Sequence, residues 1–92
     1  MAKKFTKVLN EIIEDTELKA SDKMLYVVLS KYADNKSGES FPSNKRLKEL
    51  VGASINSIQS SKKRLMDAGY ISIEQRFNSN GGRTSNLYRI LK

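Results

Sequence analysis

The sequence predicts an α+β fold that is mainly helical and ends in a β-hairpin. Up to residue 68, apolar residues recur at the three- and four-residue spacing of amphipathic helices. From Tyr70 onward the apolar period changes to two, which is typical of half-buried strands. Because 92 residues are enough for one domain with a small core, we expect residues 1–92 to form a single domain.

The first 20 residues are predicted to form an N-terminal arm with a short helix near 6–15. Its apolar stripe comprises Phe5, Val8, Leu9, Ile12 and Ile13. An extended conformation over Phe5–Val8 is the alternative. A second helix is expected over 21–34, with Ser21 as its N-cap and Asp22 in its first turn, where the helix dipole favours a carboxylate. The apolar stripe of this second helix comprises Met24, Leu25, Val28, Leu29 and Tyr32.

Two closely spaced helices are predicted in the middle of the chain. One should span 43–52, with Ser43 as its N-cap and Gly52 as the glycine that ends it. The other should span 54–68, with Ser54 as its N-cap. Two short helices joined by a three-residue turn that contains glycine are typical of a helix-turn-helix.

The segment 70–91 is predicted to form the hairpin, or wing. Its first strand alternates polar residues with Ile71, Ile73 and Phe77. The loop at 78–84 contains Asn80-Gly81, a pair that tolerates positive φ, and 86–91 is the return strand. Phe41 precedes Pro42 and is therefore biased toward an extended backbone that can form a very short strand. The resulting order of elements is that of a winged helix-turn-helix.

The positive charge of the chain lies entirely in its second half. The net charge is +7, but residues 1–42 contain seven Lys and seven acidic residues and are neutral overall. Residues 43–92 contain ten Lys or Arg and only three acidic residues. A basic half attached to a neutral half indicates a polyanionic partner, and a merely solvated basic face is the alternative.

Composition argues against enzymatic and membrane functions. Without Cys or His, the chain lacks a thiolate metal site, the usual general base and the commonest metal ligand, and we expect no cofactor. No Walker-type phosphate loop is present. No apolar run is long enough to span a bilayer and no signal-peptide core follows Met1, so a cytoplasmic protein is expected. We expect core packing rather than base stacking for the four tyrosines, Tyr26, Tyr32, Tyr70 and Tyr88.

The helix-turn-helix segment resembles a known winged-helix family. The similarity is carried by Phe41-Pro42-Ser43, Leu47, Leu50-Val51-Gly52-Ala53-Ser54, Ile58, Leu65 and Ala68-Gly69-Tyr70-Ile71. The family is found at the N-terminus of plasmid and phage replication initiators, with relatives in DnaD-like primosome proteins. The resemblance implies DNA binding, and transcription regulators share the same spacing. One departure is Ser61-Lys62, where the family usually carries an apolar residue at Lys62, so we expect the inner edge of this helix to be partly exposed.

The second helix of the motif is the candidate recognition helix, because that helix lies in the major groove and its first turns face base edges. Asn and Gln side chains can pair with adenine, and Ser can donate to or accept from several bases. Three residues are therefore expected to read bases, namely Asn56, Ser57 and Gln59. Two are expected at the edge of the groove, namely Ser60 and Lys63. Lys62, Lys63 and Arg64 cannot all face DNA, and Arg64 should pair with an acid or remain in solvent.

Phosphate contacts are expected from the two helix starts and from the wing. The first helix of the motif offers Ser43, Asn44 and Lys45, and the second offers Ser54. In the wing, Arg76 and Arg83 flank a flexible loop, and an arginine at its tip can enter a narrow minor groove. Further phosphate contacts are assigned to Asn78, Asn80 and Thr84.

The expected partner is double-stranded DNA, bound sequence-specifically by a dimer at repeated sites, because one helix and one wing cover few base pairs. The Phe5–Ile13 stripe is either the dimer surface or packed on its own domain. Replication proteins are further candidate partners. The alternatives are a transcriptional regulator, a protein-docking winged helix in a replication complex, and an RNA-binding protein. The sequence does not specify the DNA target.

Overall fold

The computed structural model describes residues 6–82 and 84–92. Within these residues, four helices and three strands follow one another in the expected order. They are α1 (Asn10–Glu14), α2 (Ala20–Tyr32), β1 (Glu39–Ser40), α3 (Asn44–Val51), α4 (Ile55–Asp67), β2 (Ile71–Glu74) and β3 (Leu87–Ile90). The predicted α+β class, mainly helical with a C-terminal hairpin, is confirmed.

The N-terminal arm is less helical than its apolar spacing suggests. Helix α1 begins only at Asn10, after an extended Leu9, so residues 6–9 lie outside the helix. Ile12 is fully buried in the core, whereas Leu9 and Ile13 are exposed. The predicted stripe is therefore divided between the core and the surface, and its first member, Phe5, lies outside the described residues.

Helix α2 begins before the predicted N-cap. The Lys19 backbone N–H donates to Asp22 Oδ2 at 2.9 Å, so the carboxylate at the third helical position caps the first turn. The prediction of Ser21 as N-cap is wrong, because Ser21 lies inside the helix and its Oγ is 3.1 Å from Ser61 Oγ on α4. The Ser21 hydroxyl therefore contacts a side chain of α4, where the prediction had it accept a backbone N–H of α2.

The turn between α3 and α4 follows the prediction closely. Ser43 Oγ accepts from the Arg46 N–H at 3.1 Å, and Ser54 Oγ accepts from the Ser57 N–H at 3.2 Å. Gly52 adopts a left-handed φ of 76° and its N–H donates to the Lys48 carbonyl. Both predicted N-caps and the glycine stop are confirmed, and together they end α3 and begin α4 within three residues.

The three strands form an antiparallel sheet in the order β1-β3-β2, with β3 in the centre. The strand expected at Phe41 forms instead at Glu39–Ser40. The prediction that Phe77 continues the inward alternation of β2 is wrong, because Phe77 is 59% exposed. The β2–β3 pairing ends at Glu74 and Leu87, so beyond that point the hairpin extends past the core and has no inner face to bury.

The core lies between the helices and one face of the sheet. Its largest buried members are Tyr70, Tyr88, Ile12, Leu25, Leu29, Leu47, Ile58, Leu65 and Ile71. Three of the four tyrosines are core residues as predicted, and Tyr26 meets Tyr70 edge to face with ring centroids 6.0 Å apart. Tyr32 and Met24 are exposed, contrary to the prediction, because Tyr32 ends α2 and Met24 lies at the margin of its buried arc.

An ion pair between a buried carboxylate and a partly exposed arginine joins α2 to α4. The fully buried Asp22 carboxylate accepts from Arg64 Nε at 2.7 Å and from Arg64 Nη2 at 3.0 Å, so the two side chains form a bidentate pair. Burial raises the pKa of Asp22, but hydrogen bonds from Arg64, Ser61 and Lys19 outweigh this effect and hold the pKa below its ordinary value. The predicted pairing of Arg64 with an acid is confirmed.

Candidate nucleic-acid interface

The outward side of α4 collects the residues predicted to read DNA. All five are exposed and lie on one arc of the helix, opposite the buried Ile58 and Leu65. We call this set the reading face, and it comprises Asn56, Ser57, Gln59, Ser60 and Lys63. Its amides and hydroxyls offer both donors and acceptors to a ligand, and Lys63 adds one positive charge.

The N-terminal ends of α3 and α4 use some of the predicted phosphate ligands as caps. The hydroxyls of Ser43 and Ser54 each accept a backbone N–H of their own helix. Ser54 Oγ also donates to Ser57 Oγ at 3.2 Å, which connects the cap to the reading face. Lys45 is exposed in the first turn of α3, where its ammonium can reach a polyanion.

A polar cleft of about 430 Å³ separates α4 from the hairpin. It brings together three predicted site residues that are far apart in sequence, Asn44, Gln59 and Thr84. We call it the hairpin cleft, and its described lining is Pro42, Asn44, Gln59, Gln75, Thr84, Ser85 and Asn86. Each of these side chains is uncharged, so the cleft offers neutral hydrogen-bonding groups to whatever enters it.

Sequence reasoning missed Gln75, Ser85 and Asn86 as lining residues of the hairpin cleft. The signal that would find two of them is the strand register. Because Glu74 pairs with Leu87, the residues one step beyond on each strand, Gln75 and Asn86, must lie side by side at the base of the hairpin.

The inner edge of α4 is buried, which corrects the expectation that Ser61-Lys62 leaves it partly exposed. Ser61 is fully buried against Ser21, and Lys62 is only 3% exposed. The Lys62 ammonium donates to Asn44 Oδ1 at 2.8 Å and lies 5.2 Å from the centroid of the Tyr88 ring. Burial lowers the pKa of Lys62. A lysine can therefore occupy an apolar position here, because its stem packs in the core and its ammonium has both a carbonyl oxygen and a ring face.

The wing loop is organised by Asn78. Its Oδ1 accepts from the N–H groups of Asn80 at 3.0 Å and Gly82 at 2.9 Å, and its own N–H donates to the Gly82 carbonyl at 2.7 Å. Gly81 has a φ of 82°, as the predicted turn requires. Asn80 and Thr84 are exposed, whereas the predicted tip contact Arg83 lies outside the described residues.

Arg76 lies at the base of the wing loop rather than at its tip. Its guanidinium carbon is 4.3 Å from the centroid of the Phe41 ring, and Nη1 donates to the Ser85 carbonyl at 3.3 Å. These contacts link the segment before α3 to the two arms of the hairpin beyond β2 and before β3. Arg76 thus holds the wing against the body of the domain.

Several basic residues near the interface are paired with acids. Lys63 Nζ lies 3.1 Å from Asp67 Oδ2, one helical turn away, and Arg46 pairs with Glu49 at 3.4 Å. Both pairs are solvent-exposed, so their partners can be exchanged at little cost. In the described part of the chain, no three acidic side chains cluster closely enough to hold a metal ion. None of the helices described has the length and apolar character that a membrane span requires.

The order of elements, the capped turn and the hairpin define a winged helix-turn-helix domain. The family model described as a helix-turn-helix domain matches residues 16–71, more than half of the chain. The chain therefore belongs to the helix-turn-helix domain family. No curated protein matches the chain. The matched range runs from the turn before α2 to the first residue of β2, so it contains the whole reading face, and membership of this family supports DNA as the partner.

Proposed function

We propose that the chain binds double-stranded DNA sequence-specifically, with α4 in the major groove. The observation that carries this proposal is the reading face: five exposed polar side chains on one side of the second helix of a helix-turn-helix domain. The confinement of the net charge of +7 to residues 43–92 supports it, because those residues form α3, α4 and the wing.

Each part of the interface has a proposed role. Asn56, Ser57 and Gln59 contact base edges, while Ser60 and Lys63 lie at the groove margin. The starts of α3 and α4 contact phosphates through Ser43, Asn44, Lys45 and Ser54. The wing approaches the flanking minor groove, and its contacts are Arg76, Asn80, Arg83 and Thr84.

We further propose that the domain acts as a dimer on repeated sites, as a plasmid or phage replication initiator of the DnaD-like type would. A single recognition helix covers only a few base pairs, and two copies on adjacent half-sites raise the specificity. The exposed apolar side chains of Leu9 and Ile13 support a contact between two copies through the arm. Analytical ultracentrifugation with and without a duplex tests this point, and a monomer under both conditions contradicts it.

The salt dependence of binding tests the DNA proposal. A domain that makes ~5–8 phosphate contacts loses duplex affinity steeply with salt, with a log–log slope of about −0.9 per contact. A slope near zero contradicts DNA binding and favours the protein-docking function. Tighter binding to single-stranded RNA than to duplex DNA at equal salt favours the RNA alternative instead.

Selection of bound sequences from a pool of random duplexes identifies the target. Two half-sites at a constant spacing are the expected result, because two recognition helices related by a twofold axis contact successive turns of DNA. Direct repeats in several copies support a replication origin, and a single palindrome supports a transcription regulator. Recovery of unrelated sequences contradicts sequence-specific binding.

A further inference from the structure

Lys62 is a buried cation that the DNA-contacting surface described above does not use. It lies on α4 next to the reading face, yet it is only 3% exposed and points toward α3 and the sheet. Burying an ammonium is unfavourable, and the lowered pKa of Lys62 reflects that cost. An apolar side chain of similar length would fill the same space without the cost of burying a charge. Stability alone therefore does not account for a lysine at this position.

The contact between Lys62 and Asn44 fixes the orientation of an amide. An ammonium group has only donors, so the Asn44 atom at 2.8 Å from Lys62 Nζ must be the carbonyl oxygen Oδ1. The other end of that side chain, the Nδ2 amino group, is then held away from Lys62. Asn44 is exposed and lines the hairpin cleft. With Oδ1 held by Lys62, the two N–H donors are the groups of this side chain that remain for a ligand in the cleft.

The hairpin cleft is suited to a phosphodiester group. Its described lining is neutral and rich in amides and hydroxyls, so no carboxylate there repels an anion. Neutral side chains supply many of the hydrogen bonds that proteins make to DNA phosphates. The cleft is lined by both Gln59 of the reading face and Thr84 of the wing. A DNA strand that contacts both residues would therefore pass over it.

We propose that Lys62 is a positioning residue that holds the Asn44 amide with its N–H donors toward a DNA phosphate in the hairpin cleft. The inference rests on the proposed DNA binding and adds a role for a side chain that does not itself reach the DNA. Lys62 therefore contributes to duplex affinity through the neutral Asn44 amide, and its own ammonium contacts no phosphate.

Two adjacent lysines provide a matched test. Lys62→Met removes the ammonium but keeps the length of the side chain, and Lys63→Met makes the same change on the reading face. Both variants should weaken duplex binding, Lys62→Met by about tenfold, which corresponds to one hydrogen bond to a charged acceptor. Only Lys63→Met should make the salt slope shallower, by about 0.9, because only Lys63 meets a phosphate directly.

The Asn44 amide gives a second readout that does not depend on DNA. In the free protein, the nuclear magnetic resonance signals of the Asn44 side-chain N–H₂ group should shift on Lys62→Met and remain in place on Lys63→Met. Combining Lys62→Met with Asn44→Ala should weaken binding no further than Asn44→Ala alone, because both changes remove the same contact. Circular dichroism checks that each variant is folded. Asn44→Ala alone removes the hydrogen-bond partner of the buried Lys62, whereas the double variant contains no buried lysine at this position.

The outcomes separate this inference from the proposed function. If the wild-type protein fails to bind duplex DNA, both are wrong. If the wild type binds and Lys62→Met makes the salt slope shallower as Lys63→Met does, Lys62 contacts phosphate itself and only the positioning role is wrong. The positioning role is also wrong if Lys62→Met leaves the duplex affinity unchanged, or if it leaves the Asn44 side-chain signals unchanged.

Discussion

Three consecutive basic residues on α4 have three different environments. Lys62 is buried against Asn44, Lys63 is exposed beside Asp67, and Arg64 is held by the buried Asp22. Successive helical residues point about 100° apart, so a run of positive charge in the sequence becomes three separate contacts in the fold. Only Lys63 shares a face with the residues proposed to read bases.

Substitutions on the reading face should affect specificity and affinity differently. Asn56→Ala or Gln59→Ala should cost about 1–3 kcal/mol at the preferred site and relax the choice of base there. Lys63→Ala or Arg83→Ala should weaken binding to every duplex alike, because a phosphate contact carries no sequence information. Titration of each variant with the selected site and with random DNA measures both effects. Equal losses on the two duplexes for all four variants would mean that the reading face is assigned to the wrong residues.

Removing the buried carboxylate should destabilise the fold. Asp22→Ala should lower the free energy of unfolding by about 3 kcal/mol, because it removes the cap of α2 and the buried partner of Arg64. Asp67→Ala is the matched control, since its pair with Lys63 is exposed and should contribute less than about 0.5 kcal/mol. Urea unfolding curves compare the two variants, and similar midpoints would show that the Asp22–Arg64 pair contributes little.

The same carboxylate should make stability depend on acid pH. The folded-state pKa of Asp22 is lowered, so its contribution to stability is complete well above the unfolded pKa of about 3.9 and is lost as the pH falls toward the folded pKa. The urea midpoint should therefore fall on acidification below about pH 5. Asp22→Asn should be less stable at neutral pH and show a shallower decline. An identical pH profile in both proteins would contradict the ionised state assigned to Asp22.

At the scale of elements, the helix-turn-helix is specified locally and the wing is not. The two serine caps and the left-handed glycine lie within a few residues of the backbone groups they serve, and sequence patterns predicted all three. The end of β2, in contrast, depends on where the core stops. The alternation of polar and apolar residues continues through Phe77, so it does not show that the strand ends at Glu74. The hairpin cleft and the burial of Lys62 arise from contacts between distant segments, such as Asn44 with Lys62, and local spacing does not encode them.

Alanine substitutions at two glycines separate the free-energy cost of a positive φ from the cost of steric crowding by the added Cβ atom. Gly52 and Gly38 both have positive φ, but a Cβ at Gly52 would meet no atom within 4 Å, whereas one at Gly38 would lie 3.2 Å from the Ile90 carbonyl oxygen. Gly52→Ala should therefore cost about 1–2 kcal/mol from backbone strain alone. Gly38→Ala should cost more, because β3 must also shift. Thermal unfolding of both variants measures the difference, and a larger loss for Gly52→Ala would contradict the proposed geometry.

At the scale of the whole molecule, folding and the proposed DNA binding are coupled. A duplex that binds only the folded chain should stabilise it by about 2.7 kcal/mol at one hundred times the dissociation constant. For a domain of this size, that corresponds to a rise in Tm of at least about 10 °C. The rise should be larger with the selected site than with a random duplex and should shrink as salt is added. A Tm that does not change with the selected duplex would contradict binding to the folded state.

The central position of β3 also has a consequence for biosynthesis. Among the described residues, β1 and β2 do not pair with each other, and each has its hydrogen-bonded neighbour in Leu87–Ile90. A nascent chain can form its helices and their caps as they emerge from the ribosome, but both outer strands remain unpaired until β3 has been translated. Tyr88 completes the core at the same moment, because it is buried beneath the Lys62 ammonium. The cleft between α4 and the hairpin is consequently among the last features of the domain to form.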